Sequence, residues 1–577
     1  MILHAQPVVL RVIATTDIHG NYLAYDYLAG RDGSGGLARA TTYVAQQRAQ
    51  RGSDNILLLD AGDILQGQPA AYYYNYIDTD TEHLCASVLN AMRYDAGVPG
   101  NHDIEAGHAV YDRWTRQCRH PIVCANVTDT RLGNPYWQPY TIIQRGKVRI
   151  AVIGLLTPAV PKWLPESLWS GLAFGDMLNA ARRYVQEIEE KRLADVIIGV
   201  FHSGVGRADE DGVSAENATL QVARHVPGFD LIICGHDHRQ FNERVRCDNG
   251  REVLVLNPGA RGAAVAVADL TIERKGKRYR VTHTKGELAD IRSLMPDAQF
   301  QRMFADQHDA LLRFTQKPLA LLDTTFSSQD AFFGSSAMVD LTHNLQLRLS
   351  GADISFAAPL TFNATFHADT LRVRDLFGLY PYENRLCTMV LSGHEVRGYL
   401  EKSYDGWVRP MTSPTDTMLR FRPNPLQYAE GWQRLETSSY NFDSAAGLCY
   451  TVDLRGRRGT RVHIDSLSDG RRFCDDSLYV VTVNSYRASG GGELLTDGAG
   501  IPKDSLQSRI IGSTTHDLRH YLMYAIATGE TAADTLHENG QTMLPAFHPT
   551  PHVNWRFVPS DWAAQARRRE QKWLFEE

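Results

Sequence analysis

A two-domain α/β protein is the fold class that these 577 residues predict, and three observations carry the expectation. Short apolar runs rich in branched residues recur through the first half, at 8–14, 56–60, 148–156, 196–201, 231–234 and 253–256. Helical stretches such as 82–93 and 176–191 lie between several of them. The alternation stops at a single amphipathic stretch over 297–316, after which a second mixed region runs on to residue 558.

Each element follows from its pattern. The runs are continuous rather than alternating, as expected of strands buried on both faces. Strands separated by helices favour a layered sheet-and-helix domain. Within 297–316, Phe300, Met303, Phe304, Leu311 and Leu312 fall roughly on one face, so the stretch reads as one helix joining two domains. The bounds that follow are a first domain over 1–294, a linker helix over 295–318, a second domain over 319–558 and a charged tail helix over 559–577. The tail reads as a terminal appendage. No internal repeat or low-complexity segment interrupts the chain.

Composition excludes several classes. With 43% hydrophobic and 22% charged residues, the chain has the make-up of an ordinary globular protein. A formal net charge of -6, from 60 basic and 66 acidic residues, gives no basic excess for a nucleic-acid polymer. No apolar run approaches the roughly 20 residues of a membrane span. The 8 cysteines form no CxxC pair, which leaves free thiols with one or two disulfides, Cys118–Cys124 being one candidate. The start lacks the basic and apolar stretches of a complete signal peptide. Residues 3–6, Leu-His-Ala-Gln, nevertheless fit the end of a truncated one, which favours a periplasmic, cell-surface or secreted location over the cytoplasm. Oligomeric state has no signal in the sequence.

The chemistry lies just after the first-half strands. Asp17-Ile18-His19 follows the first run, Gly62-Asp63 the second, and Gly100-Asn101-His102-Asp103 the next apolar segment. His202 ends the run at 196–201, and Gly235-His236-Asp237-His238 follows 231–234. In open α/β sheets the carboxyl ends of the strands share one crevice. Asp17/His19 and His236/His238 are spaced two apart, so in extended backbone each pair points to one side. Carboxylates, imidazoles and one amide oxygen suit Zn, Mn, Fe or Co rather than a thiolate-seeking metal. A single Asp or His after a strand is ordinarily a turn residue or a cap. Five such clusters in succession are not explained that way.

The series DIH, GD, GNHD, FH and GHDH, in this order, resembles the calcineurin-like metallophosphoesterase superfamily over roughly residues 8–290. The resemblance implies a four-layer β-sandwich flanked by helices and two divalent metal ions (Mn, Zn, Co or Fe). One ion would take Asp17, His19, Asp63 and His238, the other Asp63, Asn101, His202 and His236, with Asp63 bridging. It implies phosphoester hydrolysis by in-line attack of a metal-activated water, with no covalent enzyme intermediate. His102 would be the catalytic residue that is not a ligand, bonding a phosphate oxygen or protonating the leaving alkoxide. The family orients this His with an acid three positions on. Glu105 stands there, where better-known relatives carry Asp or Asn, and Asp103 reads as a cap or turn residue.

The second half resembles the nucleotide-binding C-terminal domain of the 5′-nucleotidase family. The resemblance rests on LFGLYPYEN at 376–384, on SGHE at 392–395, which opens a helix, and on VNSYRASGGG at 483–492. By that resemblance Tyr382 and Tyr486 clamp a base, Asn384 bonds its edge and Gly447 lines the pocket. Arg487 either meets a phosphate or sugar hydroxyl or forms a structural salt bridge. Typical 5′-nucleotidases carry a GGGIR-like segment, whereas residues 356–362 here read FAAPLTF and hold no Arg. That departure, with the YRASGG segment, is closer to the 2′,3′-cyclic-nucleotide 2′-phosphodiesterase/3′-nucleotidases. The expected partner is therefore a nucleotide, opened from the cyclic diester and then freed of its 3′-phosphate. A 5′-nucleotidase or UDP-sugar hydrolase is the alternative. A non-catalytic nucleotide-binding surface protein is the rival of another class, and the complete ligand set speaks against it.

Overall fold

The computed structural model describes residues 7–207, 216–276, 278–528, 537–538, 541–542 and 544–576. Residues 3–6, the expected signal-peptide remnant, lie outside the described residues. The chain divides into two compact units, Met1–Phe314 and Thr315–Glu577.

In the first unit the apolar runs assemble into two sheets. One has the strand order Arg278–Asp290, Ala264–Lys275, Val8–Thr15, Ile56–Asp60, Ala96–Gly97. The other runs Gln240–Arg246, Glu252–Pro258, Leu231–Cys234, Val196–His202, Val148–Leu156, Tyr140–Arg145. The central strands are parallel, with Val12 beside Leu57 in the first sheet and Ile198 beside Val152 and Leu231 in the second.

Alternation along the second sheet explains the unbroken apolar runs. Ile150, Val152, Ile198, Val200 and Ile233 share one core with Leu10, Val12 and Leu57 of the first sheet. Their neighbours Ala151, Ile153, Ile197, Phe201 and Ile232 join a separate core with Ala181, Val185 and Ile188 of helix Met177–Glu190. Successive strand residues point to opposite faces, so each face needs its own apolar set. Helix Leu37–Arg51 adds Leu37, Ala40 and Val44 to the inter-sheet cluster. The layers are therefore helix, sheet, sheet, helix. Each fully buried branched side chain contributes about 1.5–3 kcal/mol relative to exposure, and this holds the strand ends firmly.

The stretch expected as one joining helix is two, Ala298–Met303 and Ala305–Thr315, interrupted at Phe304. Phe300, Phe304 and Leu311 enter the first unit's core. Their spacing of four and seven forms one apolar stripe, and that stripe packs on the sandwich instead of standing free.

The second unit is built on a five-stranded sheet. Its order is Ser444–Ala446, Ile354–Ala357, Leu478–Asn484, Arg385–Ser392, Ile510–Asp517. Helix Gly393–Trp407 buries Val396, Tyr399, Leu400, Tyr404 and Trp407. Ser392 caps it: its hydroxyl accepts the Glu395 N–H at 3.2 Å, while the Glu395 carboxylate accepts the Ser392 N–H at 2.7 Å.

The charged tail is no appendage. Helix Ser560–Phe575 places Ala566 and Leu574 in the second unit's core. The buried Glu570 between them accepts the backbone N–H groups of Met418 and Leu419 at 2.7 and 2.9 Å. One face carries residues 566, 570 and 574, and the neighbouring arginines hide that stripe in the sequence. All eight cysteines are free, so Cys118 and Cys124 are not bridged. No described helix is long and apolar enough to cross a membrane.

Candidate functional site

Every candidate ligand stands at or just beyond the carboxyl end of a parallel strand in the first unit. Asp17 and His19 follow Val8–Thr15, and Asp63 follows Ile56–Asp60. Asn101 opens helix Asn101–Glu105 after Ala96–Gly97, His202 ends Val196–His202, and His236 and His238 follow Leu231–Cys234.

The backbone there is left-handed rather than extended. Asp17, His19, Asp63, His236 and His238 have φ of 50, 48, 55, 84 and 57°. The two-apart pairs therefore converge through tight turns, which corrects the expectation of extended segments. Such conformations cost about 1–3 kcal/mol each and persist only where the surroundings over-determine them. Five in one cluster mark a functional constraint.

Two groups of donors result. Asp17, His19 and His238 form one, and Asp63, His202 and His236 the other, with the ligand atoms of each within 4.8 Å of one another. In the first, the Nε2 atoms of His19 and His238 lie 2.9 Å apart, and Asp17 Oδ1 is 3.4 Å from His238 Nε2. In the second, His202 Nε2 is 3.1 Å from both Asp63 Oδ2 and Asn101 Oδ1.

Divalent cations fit this donor set. His202 Nδ1 lies 2.7 Å from the Ala61 carbonyl, so its N–H donates there and Nε2 turns a lone pair toward two further acceptors. Metal-binding imidazoles are commonly oriented in this way by a carbonyl or carboxylate. Without a cation a proton takes the place: burial opposes it, but the Asp63 carboxylate raises His202 to about 9. Burial lowers His19 to about 4, leaving a neutral imidazole, as a ligand must be.

His102 and Glu105 meet at 2.5 Å through Nδ1 and a carboxylate oxygen. Burial lowers the basicity of His102, but the carboxylates of Asp63 and Glu105 outweigh it and raise it to about 10. The His102 backbone N–H also donates to Asp63 Oδ1 at 2.8 Å, which ties this residue to the donor cluster. Asp103 is fully buried and accepts the N–H groups of Gly100, Asp63, Ile64 and Leu65 at 2.7–3.0 Å. Its work is to clamp two loops together.

Sequence reasoning missed the groups behind the ligands. Gln66 Oε1 lies 3.1 Å from His19 Nδ1, and Glu216 Oε1 lies 3.0 Å from His236 Nε2. Trp163 stacks on His236 with ring centroids 5.7 Å apart. Gln66 had only its place three residues after Asp63 to betray it. Neither Glu216 nor Trp163 sits in a motif.

In the second unit, Tyr382 is half-buried and its ring meets Tyr440 edge-on at 6.3 Å. Tyr486 is half-buried on the short helix Ser485–Ala488, 5.2 Å from its ring centroid to the Arg487 guanidinium carbon. Asn384 is buried, and its carbonyl accepts the Leu518 N–H at 2.8 Å. Gly447 turns between two strands at φ 86°, where a Cβ would stand 2.0 Å from the Asp353 carbonyl oxygen. Arg487 is buried against Asp443 at 2.7 Å, so of its two expected roles the structure has the salt bridge.

Two family models match the chain: calcineurin-like phosphoesterase over residues 10–240, and the 5′-nucleotidase C-terminal domain over residues 313–497. The trifunctional nucleotide phosphoesterase protein YfkN of Bacillus subtilis is 28% identical over 551 residues, 85% of this chain; the chain spans 36% of that protein's length. A 2′,3′-cyclic-nucleotide 2′-phosphodiesterase/3′-nucleotidase of Salmonella typhimurium is 26% identical over 627 residues, covering 98% of this chain and 91% of the relative. Among solved structures, a putative 5′-nucleotidase from Staphylococcus aureus has the same fold, with a TM-score of 0.73, 22% identity and coverage of 94% of this chain and 99% of the other.

Proposed function

We propose, for a chain that belongs to the calcineurin-like phosphoesterases and carries a 5′-nucleotidase C-terminal domain, that it acts as a 2′,3′-cyclic-nucleotide 2′-phosphodiesterase/3′-nucleotidase. It is a metal-dependent nucleotide phosphoesterase. The observation that carries the reading is the pairing of two donor groups with His102, braced by Glu105 at 2.5 Å. The activity named for the Salmonella relative, which this chain matches over nearly its whole length, supports the substrate class.

Asp17, His19, Asp63 and His238 would hold one cation, and Asp63, Asn101, His202 and His236 the second, with Asp63 shared. When bound, two divalent ions supply positive charge for a phosphate and lower the pKa of water. Mn, Zn, Co and Fe all suit these ligands.

His102 is the proton donor. Its Nδ1–H is engaged by Glu105, so the proton on Nε2 is the one available. Water attacks phosphorus in line and releases a proton to solvent, the P–O2′ bond of the cyclic diester breaks, and the His102 proton passes to O2′, after which solvent returns a proton to His102. The product is a 3′-phosphate, whose P–O3′ bond breaks the same way in a second round. Tyr382 and Tyr486 offer ring faces to the base, each contact worth about 1–3 kcal/mol and tolerant of base identity. Asn384 and Gly447 complete that pocket. Such an enzyme would work in the periplasm or at the cell surface, since charged nucleotides do not cross membranes unaided; fractionation against a cytoplasmic marker checks it.

A phosphate-release panel tests the reading, with Mn²⁺, Zn²⁺ or Co²⁺ and with 2′,3′-cyclic AMP, 3′-AMP, 5′-AMP and UDP-glucose. The first two should turn over fastest. Preference for 5′-AMP or UDP-glucose would move the chain to the 5′-nucleotidase or UDP-sugar hydrolase reading.

A further inference from the structure

We propose that Tyr440 is a third wall of the base platform and that Arg487 is the positioning residue that holds it there. The inference rests on the nucleotide reading and goes beyond the two rings named by the sequence.

Tyr440 lies in the short turn Ser439–Asn441, outside any sheet. It is 37% exposed, and its ring stands edge-on to Tyr382. A large aromatic ring in such a turn needs something to hold it. That something is Arg487. Its Nη2 donates to the Tyr440 carbonyl, and its Nη1 donates to Asn441 Oδ1 at 2.9 Å and to the Gly491 carbonyl at 3.0 Å. Nε and Nη2 grip the Asp443 carboxylate at 3.1 and 2.7 Å, and the Tyr399 hydroxyl donates to the same carboxylate at 2.5 Å.

All five N–H groups of a guanidinium are thereby engaged, and none is left for a phosphate. The residue is 2% exposed, so the ion pair is removed from water. Burying such a pair is a poor route to stability, and its best-attested use is to fix one arrangement among several. Here the arrangement is of rings. The guanidinium faces Tyr486, and a Cβ at Gly491 would stand 2.4 Å from a Tyr486 ring carbon, so that ring lies flat on bare backbone. One side chain thus sets the turn that carries Tyr440 and the loop that backs Tyr486. Lysine, a point charge without the planar fork, would keep Asp443 company and lose the rest.

The test uses the full chain loaded with Mn²⁺ and the ratio of kcat/KM for 3′-AMP to that for p-nitrophenyl phosphate, which has no nucleobase. Tyr440→Ala should lower the ratio about 3–10-fold, as expected for loss of one aromatic contact. Tyr440→Phe should restore it. Arg487→Lys should lower it too, through KM for 3′-AMP rather than kcat, whereas a general loss of folding would depress both substrates alike. If Arg487→Lys does not fold, Tyr440→Ala, made on an exposed ring, decides alone. A Tyr440→Ala ratio equal to wild type overturns the inference while leaving the nucleotide reading in place. A wild-type enzyme that does not prefer 3′-AMP to p-nitrophenyl phosphate overturns the nucleotide reading, and the inference with it.

Discussion

In the first unit, Asp63 and Asn101 turn acceptor atoms toward His202 Nε2 at 3.1 Å, and two imidazole nitrogens of His19 and His238 face each other at 2.9 Å. In the second, every N–H of Arg487 meets an oxygen. The first is buried except toward His236 and the exposed His238, the second is buried around Arg487 and Asp443, and both are rich in charge. The difference is that the first holds more lone pairs than protons, and the second is matched. Crowded lone pairs at positions of left-handed backbone are relieved by a positive charge among them, a proton on His202 or a divalent cation. A matched network needs no visitor, and what it presents is the aromatic surface it holds in place.

That contrast breaks most visibly at His102, which is tied to the first cluster through Asp63 without being one of its proposed ligands. His102→Ala should lower kcat on 3′-AMP about 10²–10⁴-fold, the usual contribution of a general acid. Metal content, read by elemental analysis, should stay at the wild-type level. Loss of metal along with turnover would make His102 part of the ligand set instead.

Gln66 probes the same cluster one layer out. It orients His19 from the far side of the ring. Gln66→Leu should weaken Mn²⁺ binding about 10–100-fold in a chelator competition, the range seen when an outer partner of a metal ligand is removed. Unchanged affinity would mean that the strained backbone alone fixes His19.

The second unit has its own buried polar group without net charge. His343 is fully buried, with Nδ1 2.9 Å from Ser355 Oγ and Nε2 3.2 Å from Ser444 Oγ. Burial lowers it to about 3. The unfolded chain takes up the proton near pH 6.5, well before the folded one does, so this stabilising effect is complete above that pH and is lost as the pH falls toward 3. At pH 5 the loss amounts to about 2 kcal/mol. Hydrogen exchange over 354–357 and 444–446 should quicken on going from pH 7.5 to 5 beyond the intrinsic pH effect, and His343→Gln should remove much of that change. An identical response in the variant would place the acid sensitivity elsewhere.

How much of this could be read from the sequence follows from how far apart the partners lie. The candidate ligands were legible because each belongs to a restricted residue type and each follows an apolar strand. The His102–Glu105 pair was legible because three residues along a helix bring two side chains together. The left-handed turns at Asp17 and His19 were not, since spacing alone suggested extended backbone. Arg487 was left between two roles because its partner Asp443 is 44 residues away. Tyr440 entered no motif at all. The tail helix read as an appendage because Glu570 is bound by backbone 152 positions earlier, at Met418. Local chemistry reached the sequence; long-range saturation of polar groups did not.

The smallest expected effect isolates that local chemistry. Asp103 in the first unit and Glu395 in the second do the same thing, each accepting the N–H that precedes its helix, from Gly100 and Ser392, at 2.7 Å. Asp103 goes on to accept from Asp63, Ile64 and Leu65, so it couples helix capping to the donor cluster. Beyond the Ser392–Glu395 exchange, Glu395 accepts, among the described residues, only from the Arg509 guanidinium, at 3.0 Å, and reaches no residue of the donor cluster. Ser392→Ala should therefore cost about 1 kcal/mol in chemical unfolding, the value of one helix cap, and leave kcat at its wild-type level. A fall in kcat would show that the second unit's helix Gly393–Trp407 is coupled to turnover, and that capping in the two units differs less than their hydrogen bonds imply.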